Sequence, residues 1–180
     1  MQLIRHTLFQ LGKLFLLWIL LFDFQRILFS IHNWEQFSDV SWGDWFLTFI
    51  YSFRLDLSSA AFLCVIPFFF ICIQLISPNK WVKRLFFITV FTEVILCSFI
   101  HAGEINAYPE WKHKLTSRVF THLVNPDEVL RTADYGMTFW FAVYSLLEVV
   151  FAWRIYKWIF KNDEAQKSKN LRVRIPMAVG

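Results

Sequence analysis

The chain has 180 residues, of which 57% are hydrophobic and 20% aromatic, and its formal net charge is +4. Because soluble domains are about 45–50% apolar, this composition excludes an ordinary water-soluble core and predicts an all-α integral membrane protein. The basic residues cluster at the ends of apolar segments, where they act as topology signals, and form no basic stripe of the kind that binds nucleic acid. We therefore expect a lipid bilayer as partner and no nucleic acid.

Four apolar segments are long enough to cross a bilayer as helices. They cover residues 8–31, 53–76, 85–102 and 137–160. The first is too long for the apolar region of a cleavable signal peptide, so we expect it to remain in the protein. Pro67 should kink the second span, because proline lacks the backbone N–H. The last residues, VRIPMAVG, predict the start of a fifth span and a native chain that continues past Gly180.

The distribution of charge predicts the orientation of these spans. Residues 80–84 and the tail 157–174 are rich in lysine and arginine, whereas the loop 32–44 carries three acidic residues and no lysine or arginine. Under the positive-inside rule the basic segments lie in the cytoplasm. We therefore expect a multi-pass protein of the bacterial inner membrane, with a cytoplasmic amino terminus and with residues 32–44 and 104–134 outside.

The external segment between the third and fourth spans is predicted to be helical. Pro109 can start a helix, and apolar residues then recur every four positions from Trp111 to Leu123 with polar and basic residues between them. This pattern is typical of an amphipathic helix on a membrane face or on another domain. Asn125 can cap a second short helix. We expect external helices over residues 109–124 and 126–133.

Signatures of soluble enzymes are missing from the sequence. It contains no glycine-rich phosphate loop, no nucleophile elbow and no zinc-protease motif. Cys64, Cys72 and Cys97 lie inside apolar spans without metal-finger spacing, so we expect buried free thiols. We therefore assign no catalytic residue and no metal ligand to this chain.

Polar residues in the third span are spaced to share one helix face. Glu93, Cys97, His101 and Glu104 follow one another at spacings of four, four and three. Intramembrane ionisable groups are candidates for function, so this polar stripe is either a metal site or proton relay, or a face packed on other helices. We favour packing, because these side chains do not make a complete coordination set. For Glu148, in the fourth span, we favour pairing with a basic group over transport.

Two further pairs of charges lie near the predicted outer boundary. Asp23 and Arg26 are three residues apart on the first span and are expected to pair. Arg54 and Asp56 are two apart, so on one helix they point away from each other and each needs another partner. We favour a polar latch at the outer end of the second span. The alternative is contact with an anionic phospholipid headgroup, with Arg54 donating to the phosphate.

Two stretches resemble a known family. FRLDLSSAAFLCVIPF and EINAYPEWKHKLTSRVFTHLVNPDEVL are similar to motifs in the amino-terminal membrane domain of lipoteichoic acid synthase-like proteins, in the sulfatase and alkaline phosphatase superfamily. The resemblance covers essentially the whole chain but only that part of the family. It implies five membrane helices and a large external catalytic domain, absent here, with a threonine nucleophile and a divalent metal, typically manganese. That domain transfers phosphoglycerol from a lipid or hydrolyses related phosphate or sulfate esters.

What the resemblance carries over to this chain is the anchor. It implies that Arg54, Asp56, Glu104, Trp111 and the 109–125 helix hold, and orient, the catalytic domain at the outer membrane boundary. We therefore expect a membrane anchor or platform domain. Two alternatives stay open: a small ion- or proton-coupled transporter that uses the acidic and histidine residues of the polar stripe together with Glu148, and a non-catalytic membrane scaffold.

Overall fold

The computed structural model describes residues 2–76, 79–112 and 134–174. Within these ranges the chain is all-helical. Its helices are α1 (Gln2–His32), α2 (Trp42–Leu63), α3 (Val65–Ile76), α4 (Lys80–Trp111) and α5 (Tyr135–Arg174), with a short 3-10 helix at Trp34–Phe37. Four segments are long and apolar enough to cross a membrane: Thr7–His32, Trp42–Leu63, Lys80–Pro109 and Tyr135–Lys161. The predicted class, an all-α chain with four candidate membrane spans, is confirmed.

The second predicted span consists of two helices. α2 begins at Trp42 rather than near residue 53, and the Ser41 side chain accepts a hydrogen bond from the backbone N–H of Asp44. The boundary between α2 and α3 falls at Cys64, shortly before Pro67. Pro67 has no N–H to donate to the carbonyl four residues earlier, which belongs to Leu63. The expected interruption by Pro67 therefore divides this segment into α2 and α3.

The third predicted span is longer than expected. α4 continues from Lys80 through Pro109 to Trp111, and it is terminated by Lys112, whose φ of 54° is left-handed. The prediction that Pro109 starts a separate helix is therefore wrong. Pro109 cannot bond to the carbonyl of Ile105, and the side-chain amide of Asn33 donates to that carbonyl at 3.4 Å instead. This substitute donor stabilises a proline inside the last turns of α4.

The remaining sequence predictions fall largely outside the described ranges. Residues 113–133, which hold most of the predicted external helices, and residues 175–180, at the predicted start of a fifth span, are not described. The basic tail after the fourth span continues α5 as helix as far as Arg174.

Two apolar clusters fill the inside of the bundle. The first contains Leu14, Leu17, Trp18 and Leu21 of α1, Ala60, Cys64 and Ile71 of α2 and α3, Phe86, Val90 and Val94 of α4, and Ala152 and Ile159 of α5. The second contains Leu28, Ala102, Ile105 and Tyr144. Helices α1 and α4 run from the first cluster towards the second, because their residues in the second cluster have the higher numbers. Helix α5 runs in the opposite direction. Helices α2 and α3 also run towards the first cluster, because Asp56 contacts Arg26 and the later residues Ala60 and Ile71 lie in the first cluster. Successive spans therefore alternate in direction.

The outer surface of the bundle is strongly apolar. Phe62 is 80% exposed, Tyr51 77% and Ile76 87%, and apolar patches of this kind are rare on proteins that face water. These surfaces are compatible with contact to the hydrocarbon of a bilayer.

Candidate functional site

A layer of polar side chains separates the two apolar clusters. We call it the polar layer, and its members are Asp23, Gln25 and Arg26 of α1, Asp56 of α2, His101 of α4 and Glu148 of α5. Each of the four candidate spans contributes to it. Polar groups at this depth need partners within the protein, because hydrocarbon offers none.

Arg26 joins α1 to α2. Its Nη2 donates to both carboxylate oxygens of Asp56, at 3.0 and 2.9 Å, and its Nη1 donates to Asp23 at 3.0 Å. The side chain of Asp56 is only 11% exposed, whereas that of Asp23 is 38% exposed. The pairing of Asp23 with Arg26 follows the sequence prediction. The pairing of Arg26 with Asp56 was not predicted, and it is the contact that ties two helices together.

Arg54 does not take part in this ion-pair network. Two residues along an α-helix correspond to a rotation of about 200°, so Arg54 lies on nearly the opposite face of α2 from Asp56. Arg54 is exposed, and none of the ion pairs among the described residues involves it. In the Arg54–Asp56 motif, the carboxylate of Asp56 therefore faces the bundle and contacts α1, and the guanidinium of Arg54 faces outward.

Glu148 is fully buried and receives two short hydrogen bonds. Gln25 donates from Nε2 to one carboxylate oxygen, and Nδ1 of His101 contacts the other, each at 2.6 Å. An ionised carboxylate can only accept, so Nδ1 of His101 carries a hydrogen in this arrangement. Burying a charge without such partners costs far more free energy than burying an apolar group. The sequence favoured a basic partner for Glu148, and the structure supplies His101.

Gln25 was missed by the sequence reasoning. It is 7% exposed and sits within an apolar span, where polar side chains are rare and usually face the bundle interior. That rarity was the signal that could have identified it.

A cavity of about 340 Å³ opens beside the polar layer. Its walls come from α1, α2 and α4: Phe22, Gln25, Arg26, Phe29, Asp56, Ser59, Cys97, Ile100, His101 and Glu104. α5 contributes through Glu148, which contacts His101 from behind. The cavity is thus the place where ionisable side chains and open space meet.

The structure divides the predicted polar stripe of α4. Cys97, His101 and Glu104 line the cavity, but Glu93 does not. Oε2 of Glu93 is buried without a hydrogen-bond partner among the described residues. The spacing in the sequence therefore grouped three residues of the cavity wall with Glu93, a half-buried acid that lies apart from the cavity.

The other predicted positions are placed as follows. Trp111 is the last residue of α4, and its side chain lies outside what is described. Cys64, Cys72 and Cys97 are free thiols. Across residues 2–76, 79–112 and 134–174, no group of three or more His, Cys, Asp or Glu side chains is placed to hold a metal ion.

A second histidine contact lies nearer the end of the bundle. Nδ1 of His32 is 2.9 Å from the hydroxyl of Tyr144, and its ring packs edge-on against Trp140. Phe29 packs edge-on against Tyr108 at a centroid distance of 4.9 Å. These aromatic contacts join α1 to α4 and α5 beyond the polar layer.

Comparison with known proteins returns no relative: no family model, no curated protein and no solved structure matches this chain.

Proposed function

We propose that this chain is the membrane anchor and platform domain of a sulfatase-like enzyme that acts outside the bacterial inner membrane. The observation that carries the proposal is that Asp56 and Arg54 have different roles on opposite faces of α2. Asp56 holds α1 through Arg26, while Arg54 stays exposed on the outer face of α2. One motif thus combines a structural tie with a basic group available to a partner. The resemblance of this motif and of residues 104–130 supplies the enzyme class.

The partner of Arg54 in this proposal is the headgroup of an anionic phospholipid. Tyr51, one turn before Arg54 on the same helix, is exposed, and tyrosine favours the membrane–water interface. A guanidinium at that level makes strong charge-assisted hydrogen bonds to phosphate. Holding lipid beside an active site raises its effective concentration, which is what positioning contributes to phosphoryl transfer.

The chemistry itself is assigned to a further domain that this chain does not include. There a threonine nucleophile and a divalent metal, with manganese the expected ion, would transfer phosphoglycerol or hydrolyse related phosphate or sulfate esters. Glu104 and Trp111, at the end of α4, would lie on the side of the membrane that carries this domain.

Two measurements test the proposal. An antibody against the amino-terminal region should detect a native product about three to four times the length of this chain, as domain sizes allow. Arg54→Ala should lower the retention of anionic lipid on the purified protein by about threefold or more, as loss of a charge-assisted contact predicts. Arg154→Ala, which removes another exposed arginine in a span, is the matched control. A product that ends at Gly180, or equal lipid retention in both variants, would overturn the proposal.

A second candidate function is ion- or proton-coupled transport. The observation that favours it is the contact between His101 and Glu148 at 2.6 Å beside a cavity. Flux across proteoliposomes should then be abolished by Glu93→Gln, because Glu93 is a half-buried acid on the same helix as His101. Unchanged flux would exclude this candidate. The scaffold alternative predicts that Arg54→Ala alters the assembly of a complex without any change in lipid turnover.

A further inference from the structure

His101 presents one free ring edge towards the cavity. Its Nδ1 is engaged by Glu148 at 2.6 Å, and its side chain remains 13% exposed in the cavity wall. Nε2 makes no hydrogen bond to the described residues. It is also not one of the buried polar atoms that lack a partner among those residues, so it remains accessible. Because Glu148 keeps the hydrogen on Nδ1, the neutral ring offers Nε2 as a hydrogen-bond acceptor. The cavity therefore contains an oriented acceptor that the protein itself leaves open.

The guanidinium in the same wall is not available to an anion. Arg26 already donates to Asp23 and to both oxygens of Asp56. An incoming phosphate would have to displace one of these carboxylates and leave it without its partner, which is costly for a group as buried as Asp56. The positive charge of Arg26 is therefore neutralised by Asp23 and Asp56.

The charge balance around the cavity favours a cation. Asp56 and Arg26 lie in the cavity wall itself. The carboxylates of Asp23 and Glu148 stand behind that wall, in contact with Arg26 and His101. Together these groups make three carboxylates and one guanidinium. Even a protonated His101 would leave an excess of one negative charge among these side chains. In a poorly hydrated environment such an excess attracts a positive group more strongly than it would in water.

The remaining wall also suits a small organic cation. Phe22 and Phe29 line the cavity, and aromatic faces attract ammonium groups. The carboxylate oxygens of Asp56 have lone pairs beyond those used by Arg26. A primary ammonium group carries three N–H donors, which matches a wall of acceptors and aromatic rings better than a neutral hydroxyl or a phosphate does.

We propose that this cavity is a binding site for a primary ammonium group, with Nε2 of His101 as an acceptor that Glu148 holds in position. The polar layer lies about 9 Å along α1 from its end at His32, within reach of a lipid headgroup at the interface. The ammonium could come from an ethanolamine headgroup or from a free amine, and both share the recognised group. This site is separate from the outward face of Arg54 and does not depend on the proposed enzyme.

The test compares lipids that differ in the headgroup alone. The full chain, purified in detergent, is mixed with phosphatidylethanolamine, phosphatidylcholine or phosphatidylglycerol of identical acyl chains, and retained lipid is measured by native mass spectrometry. We expect retention of the ethanolamine lipid about tenfold above the choline lipid, whose quaternary ammonium has no N–H donor. If the amine alone is recognised, free ethanolamine in excess should displace the ethanolamine lipid. If free ethanolamine does not displace it and the preference for the ethanolamine lipid remains, the source of the ammonium group is the lipid.

Variants then assign the preference to the cavity. His101→Asn keeps an N–H near Glu148 but lacks Nε2, so it should lose the preference for ethanolamine. Ser59→Leu fills the cavity from α2 without removing any hydrogen bond described for Ser59, and it should have the same effect if His101→Asn does not fold. Thr89→Val is the matched control, because Thr89 lies on the same helix as His101 and does not line the cavity, and it should retain the preference. Equal retention of the three lipids, or an unchanged preference in a folded cavity variant, would overturn the proposal and leave a hydrated structural cavity.

Discussion

Arg26 on α1 and Asp56 on α2 are joined by one guanidinium nitrogen that contacts both carboxylate oxygens, at 3.0 and 2.9 Å. Thirty residues separate them in sequence, so the contact fixes the register of two spans. In hydrocarbon, each partner depends on the other for its hydrogen bonds. This pair is the strongest test of the latch interpretation.

Removing the arginine of this pair should destabilise the bundle. Arg26→Leu leaves Asp56 largely buried without a counter-charge, and we expect the free energy of unfolding to fall by about 3 kcal/mol, measured by titration with denaturing detergent. Asp23→Asn is the control, because Asp23 is more exposed and should cost less than about 1 kcal/mol. The double variant Arg26→Leu, Asp56→Leu should recover much of the loss. A double variant as unstable as the single one would contradict the latch.

Glu148 should matter through the two donors that it satisfies. Glu148→Leu leaves Nε2 of Gln25 and Nδ1 of His101 without an acceptor, and each unsatisfied buried donor costs about 1–3 kcal/mol. Glu148→Gln keeps the size and one acceptor oxygen and should cost less. Thermal unfolding of the purified chain measures both. Equal stability of the leucine and glutamine variants would show that the hydrogen bonds contribute little.

Asn33 and Pro109 should behave as a coupled pair. Asn33→Ala removes the amide that donates to the carbonyl of Ile105, and we expect a loss of about 1–2 kcal/mol. Pro109→Ala restores a backbone N–H that can bond to the same carbonyl. The double variant should therefore be more stable than Asn33→Ala alone, in a double-mutant cycle on thermal unfolding. Additive effects would mean that the two positions act independently.

Pro67 should set the bend between α2 and α3. Spin labels at Leu55 and Ile73, both exposed, report the distance across the junction. In Pro67→Ala the helix can continue without interruption, and the backbone distance should approach the value of about 27 Å for a straight helix of that length. The unsubstituted junction should give a shorter distance. An identical distance in the two proteins would mean that other contacts hold the bend.

The charge distribution predicts an orientation of the chain in the membrane, and this orientation can be measured directly. In a background without native cysteines, Asp39→Cys should react with a membrane-impermeant maleimide in intact cells. Lys83→Cys should react only after the membrane is permeabilised, because basic connections stay in the cytoplasm. Both positions are exposed in the structure. The reverse labelling pattern would invert the topology.

The sequence predicted what is local and missed what depends on the packing of helices. Asp23 and Arg26 lie one turn apart, so helix geometry alone brings them together. The contacts of Arg26 with Asp56 and of Gln25 with Glu148 depend on the register between spans, which a single sequence does not reveal. The number of candidate spans could be predicted because apolar length is a strong signal, but the second lies at Trp42–Leu63 rather than at 53–76.

The two prolines of the described helices show the same limit. Pro67 was expected to kink one continuous span, and the structure instead has two helices that meet at Cys64, three residues before it. Pro109 was expected to begin a helix, yet it lies inside α4, because Asn33 of a distant segment supplies the missing donor. The loss of a backbone N–H at a proline is a local effect, but the donor that replaces it comes from a distant part of the chain.

The interhelical hydrogen bonds described above lie in the half of the bundle that holds the polar layer, and the larger apolar cluster lies in the half around Trp18 and Val94. Hydrogen bonds fix distance and direction, whereas apolar contacts tolerate sliding. When the thickness of the bilayer changes, helices respond by tilting or shifting. In this protein such adjustment should fall on the apolar half, so the cavity would keep its depth relative to one leaflet while the opposite ends of the spans move.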